Sequence, residues 1–116
     1  MVTATANPTA VVLGNHVQAL VSRNLDAIAA DYSDDAVVFT PNGTFKGPEQ
    51  IRAYFSAALN MLTPEALNNL TAIKQEIDGE FAYVIWSALP VISFAGDSFC
   101  IRNGKIVMQS VVMQVG

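Results

Sequence analysis

One cysteine and one histidine in 116 residues leave little from which to build a metal centre. Cys100 alone can form neither an internal disulfide nor a cysteine-rich zinc site. With only His16 beside it, no metal site and no metal cofactor is expected. Basic residues are scarce as well: six Lys and Arg stand against ten Asp and Glu, for a net charge of −4. Binding to phosphate backbones needs a basic stripe, so nucleic acid is not an expected partner. No apolar run approaches the ~20 residues of a membrane span, so no membrane contact is expected. The opening MVTATANPTAVV has neither the basic start nor the long apolar stretch of a secretory leader. A cytoplasmic protein is the expectation.

What the chain does have is apolar surface. Hydrophobic residues make up 52% and charged residues only 14%, against a usual charged fraction of about 25%. A length of 116 residues fits one domain, 1–116. The apolar surplus must line a cavity, cover a subunit interface, or both.

From Thr9 to about Ser22, Val12, Leu13, Val17, Leu20 and Val21 fall on one helix face. Asn24 reads as an N-cap, and Leu25, Ile28, Ala29 and Tyr32 form the inner face of a second helix. So short a link makes the two helices a hairpin. The cluster DYSDD sets three aspartates in five positions. Asp34 and Asp35 precede the strand-like AVVFT, where short acceptors cap and turn a chain. PNG turns, TFKG returns, and Pro48 opens a third helix to about Leu59. Beyond it NNLTAIKQEI, FAYVIWSAL, VISFAGDSFCIR and KIVMQSVVMQV read as strands, with DG and NG as turns. Helices first and an antiparallel meander afterwards make an α+β domain, with a curved sheet wrapped around the helices.

The run NLDAIAADYSDDAVVFTPNGTFKGPEQIRAYF, followed by DSFCIRNGKIVMQ, resembles the NTF2-like superfamily in its SnoaL-like and ketosteroid-isomerase-like branch. The likeness extends from about His16 to Met113. It implies a cone-shaped, cystatin-like fold: three N-terminal helices against a curved, mostly antiparallel sheet, with a deep apolar pocket between them. It also implies a homodimer packed through the outer face of the sheet. It does not name an activity, because this fold carries many. Ketosteroid isomerases place an aspartate base just before the first strand's proline; Thr40 stands there and cannot serve. The first-helix tyrosine donor corresponds to His16. The protonated aspartic acid that shares the oxyanion corresponds to Asp97. With the base missing, steroid isomerisation by that mechanism is not expected.

His16 lies about as far before the interhelical turn as Asp31 lies after it, so the two should be level. The carboxylate would then orient the imidazole; the alternative is a purely structural hydrogen bond or a surface histidine. Strand alternation carries Asp97 inward with Phe99 and Ile101. There it either meets a donor such as His16 or Tyr32 or stays protonated; alternatively it is a turn aspartate on backbone amides. Tyr32 and Tyr54 should border the cavity, as core aromatics or with a polar role for their hydroxyls. Gln109 shares a face with Val111 and Met113, and alternation alone does not choose that phase; the resemblance favours Gln109 inward. Trp86, Phe94, Phe39, Phe55 and Met61 read as wall residues, and Cys100 falls on the outer face. Nothing resembles a nucleophile elbow.

These readings give a candidate catalytic set of His16, Asp97 and Asp31. Tyr32, Thr40, Tyr54, Phe55, Trp86, Gln109 and Met113 form a candidate ligand-binding set. The expected function is a cofactor-free isomerase, cyclase or hydratase acting on a small apolar molecule. The alternatives are a binding module or a dimeric scaffold. An open cavity of several hundred cubic ångströms would be typical of a ligand site.

Overall fold

In the computed structural model, which describes residues 7–116, Asn7 caps the first helix by accepting the Thr9 amide at 2.8 Å. The leader reading rests partly on residues 1–6, which lie outside the described part. Helix α1 runs Pro8–Val21 and α2 runs Leu25–Ala30. Asn24 caps α2 by accepting the Ala27 amide at 3.1 Å, as its sequence position suggested. Strands β1 (Tyr32–Thr40) and β2 (Gly43–Lys46) follow, then α3 (Gly47–Met61) and a short α4 (Pro64–Asn68). The second half is β3 (Leu70–Asp78), β4 (Phe81–Ala88), β5 (Ile92–Arg102) and β6 (Lys105–Val115).

The strands form one curved, unclosed sheet in the order β2-β1-β6-β5-β4-β3. All neighbours are antiparallel except β1 and β6, which run parallel. The helices pack on its concave side, around a core that includes Ile28, Val38, Ile51, Leu67, Ile92 and Ile106. The β5–β6 turn is the expected NG hairpin, with Asn103 at φ 54 and Gly104 at φ 76. Positive φ at both central residues is what a type I′ turn requires.

Three readings need correction. Tyr32 is the first residue of β1, not the last of a helix, because α2 stops at Ala30 with Asp31 as its C-cap. Asp34 and Asp35 are strand residues, not turn formers; they sit where the β1–β6 pairing shifts register between Tyr32 and Val37. Phe39 and Phe94 are not wall residues. They are 48% and 51% exposed because alternation sends Val38 and Ala95 into the core instead. Helix α4, capped by Thr63, was not anticipated in the sequence.

Candidate functional site

Helices α1 and α3 and the concave faces of β3 to β6 line a partly open cavity of about 120 Å³. That is well below the several hundred cubic ångströms expected, and close to the roughly 150 Å³ of a cavity that holds one benzene ring. His16, Tyr54, Phe55, Trp86, Asp97 and Gln109 line it, with Met113 and further aliphatic side chains completing the wall.

Asp97 is brought in by register. It pairs with Val84 on β4 and Val111 on β6, so all three point to the concave side. Neither His16 nor Tyr32 is its donor. Trp86 Nε1 donates to Oδ1 at 3.0 Å and Gln109 Nε2 donates to Oδ2 at 2.9 Å. Burial pushes the Asp97 carboxyl up to about 6; the Trp86 and Gln109 bonds and the His16 imidazole act against that rise. Asp97 therefore differs from the neutral acid that the isomerase comparison implied. At neutral pH it is mainly a carboxylate, with both oxygens held by neutral donors.

Gln109 is 2% exposed and faces inward. Its amide orientation follows from its other partner, since Tyr32 Oη donates to Gln109 Oε1 and leaves Nε2 for Asp97. The Tyr32 hydroxyl is held well above its ordinary range, first by burial and then by the charges of Asp97 and Asp31. Tyr32 is thus buried behind Gln109, not on the cavity wall. Tyr54 does reach the wall. Burial, then Asp97, pushes its hydroxyl up to about 12, so it remains a donor throughout the working pH range.

His16 Nδ1 and Asp31 Oδ2 stand 3.3 Å apart, the pairing inferred from helix geometry. Asp31 is held in place through its backbone, whose carbonyl accepts the Ile106 amide at 2.8 Å. The imidazole packs edge-on against Tyr32, Phe55 and Phe99, with ring centroids 5.7, 5.8 and 6.1 Å away. Thr40 is not part of this site. It lies at the β1–β2 turn, where its hydroxyl donates to the Gly43 carbonyl at 2.9 Å, and it borders a groove beside α3 that adjoins the cavity and shares Tyr54, Val111 and Met113 with it. Cys100 lies outside the cavity lining and is buried. Among the described residues no group of three His, Cys, Asp or Glu could hold a metal ion. Nor is any helix there long and apolar enough to cross a membrane.

Residues 13–108 match the SnoaL-like domain family, a span that holds His16, Asp31, Tyr54, Trp86 and Asp97 and ends just before Gln109. The chain belongs to the SnoaL-like domain family. This SnoaL-like chain also shares its fold with solved structures of low identity. An NTF2-like protein of unknown function from Burkholderia xenovorans superposes with a TM-score of 0.75 at 20% identity, covering 92% of this chain and 83% of that one. A putative polyketide cyclase from Sinorhizobium meliloti gives 0.69 at 21%, covering 86% and 92%. A hypothetical protein with a ketosteroid-isomerase-like fold from Catenulispora acidiphila, in complex with trimethylamine, gives 0.69 at 14%, covering 86% and 82%. No curated protein matches the SnoaL-like chain.

The polar role of Trp86 in this SnoaL-like site was not read from the sequence. It follows from the pairing of Val84 with Asp97, which sets Trp86 two residues along the same face.

Proposed function

We propose that this SnoaL-like protein is a cofactor-free enzyme that moves a proton within a small, largely apolar substrate. Asp97 is the base, and Tyr54 and His16 act on the substrate oxygen. The observation that carries this reading is a carboxyl raised to about 6, buried on an otherwise apolar wall and held by two neutral donors. A base with a value near the working pH is what proton transfer at carbon needs. In the reaction that fits, Asp97 takes a proton from a carbon beside a carbonyl. The electron pair passes to the carbonyl oxygen, and the Tyr54 O–H donates to the enolate. Return of the proton from Asp97 to a conjugated carbon gives the isomer; attack of the enolate on a second carbonyl gives ring closure. His16, oriented by Asp31, serves as the second acid on the oxygen. A volume of about 120 Å³ suits a reacting part of about one ring.

A second reading is a binding module in which the same cavity holds a ligand without turnover. It is favoured by the Catenulispora neighbour of the same fold, in complex with the small molecule trimethylamine. Incubation with single-ring ketones, enones and epoxides, followed by mass and NMR analysis, separates the two. Turnover that drops at least about a hundredfold in Asp97→Asn supports the enzyme. Binding without turnover supports the module, and turnover unchanged in Asp97→Asn removes Asp97 from the mechanism.

We further propose that the protein is a homodimer through the outer face of the sheet. Phe39, Phe94 and Val112 are 48%, 51% and 65% exposed on that face, and large apolar patches of this kind are rare on monomers.

A further inference from the structure

Of the side chains that line the cavity, none is Lys or Arg, and the only carboxylate is Asp97. The two groups bonded to it, Trp86 and Gln109, are both neutral donors. His16 is the one wall group able to carry a positive charge, and its Nδ1 already faces Asp31. A carboxylate so placed has lost its water and has no cation hydrogen-bonded to it, with only His16 acting from farther off, an arrangement that costs more as the site dries. An uncharged ligand that fills the cavity would complete the drying. A cation would reverse the effect by supplying the missing charge. The rest of the wall suits a cation as well: the rings of Tyr54, Phe55, Trp86 and Phe99 border the same space, and aromatic faces attract ammonium groups. Carboxylates, phosphates and other anions are disfavoured by the same charge.

We propose that the preferred ligand of this cavity is a small organic cation, a tertiary or quaternary ammonium, with Asp97 as its counter-ion and the surrounding rings as its walls. This rests on the proposed site but not on its catalysis. The cation must be small enough for a cavity of about 120 Å³, and by holding Asp97 ionised it would compete with a ketone for the same carboxylate.

The test is calorimetric titration of the full chain with tetramethylammonium and with tert-butanol, which has the same branched skeleton and no charge. Quenching of Trp86, the only tryptophan, gives a second readout. At pH 8 the cation should bind at least about tenfold more tightly than the alcohol. Asp97→Asn should abolish that preference. If this variant does not fold, the wild type still decides. Its affinity for the cation should weaken about tenfold per pH unit below the Asp97 midpoint, with His16, Asp31, Tyr32 and Tyr54 as the other titratable groups around the carboxylate. Equal binding of the two probes, binding of neither, or an affinity that is flat from pH 5 to pH 8 overturns the proposal. Failure of the two readings is distinguishable. Ketone turnover without cation binding removes this inference alone, whereas cation binding without any turnover removes the enzyme alone.

Discussion

Gln109 donates to Asp97 at 2.9 Å while accepting from Tyr32, so one buried amide links the first strand to the carboxylate in the cavity. Gln109→Leu leaves the Tyr32 hydroxyl and one carboxylate oxygen without their partner. The expected cost is about 1–3 kcal/mol, the penalty for an unsatisfied buried polar group. Urea unfolding at pH 7 measures it. A loss below about 0.5 kcal/mol would mean that water replaces the amide freely.

The raised value of Asp97 also gives stability a pH dependence. In the folded state the carboxyl titrates near 6, against an ordinary 3.8. The native protein therefore binds more protons than the unfolded chain between those values. This group's stabilising contribution is complete below about pH 4 and is lost as pH rises through about 6, an effect of about 3 kcal/mol. Asp97→Asn removes that dependence. The stability difference between wild type and variant should move toward the variant by about that amount from pH 4 to pH 8. Parallel stability curves would contradict it.

Trp86→Phe keeps a ring on the wall but deletes the donor at 3.0 Å from Asp97 Oδ1. Without it the carboxyl should rise a further ~1–2 units, the equivalent of one hydrogen bond to a charged group. The acidic limb of any pH–rate profile should move upward with it. An unmoved limb would assign that limb to another group.

Core truncation provides a reference scale. Ile28 and Ile106 are fully buried on α2 and β6. Ile106→Ala should cost about 2–5 kcal/mol, and Ile28→Ala a similar amount. Thermal unfolding measures both.

On the outer face, Val112 pairs with Gly96 and stands 65% exposed. If that face joins two copies, Val112→Lys should turn a dimer into a monomer in sedimentation, with little change in cavity binding. A wild-type monomer would remove the dimer proposal.

The local chemistry of the sequence made the helical hairpin, the NG turn and the inward phase of β5 legible. Each rests on contacts close in sequence or on simple alternation. The level placement of His16 and Asp31 was legible because both lie near one interhelical turn. Asp34, Asp35 and Tyr32 were misplaced because α2 is only six residues long and the register shift that follows it leaves no periodic trace. Phe94 and Phe39 were assigned by residue type, whereas the sheet sets their direction by position. The Trp86 bond depends on the β4–β5 register, which no single strand reveals. Cavity size was likewise beyond the sequence, since it is fixed by side chains that converge from opposite layers.

Central to both proposals is the state of Asp97, and a carbon-13 NMR titration of its carboxyl reads that state directly. A single step with a midpoint near 6 is predicted, consistent with a buried carboxylate held by neutral donors. A midpoint near 4, the ordinary value of a solvated aspartate, would contradict the account.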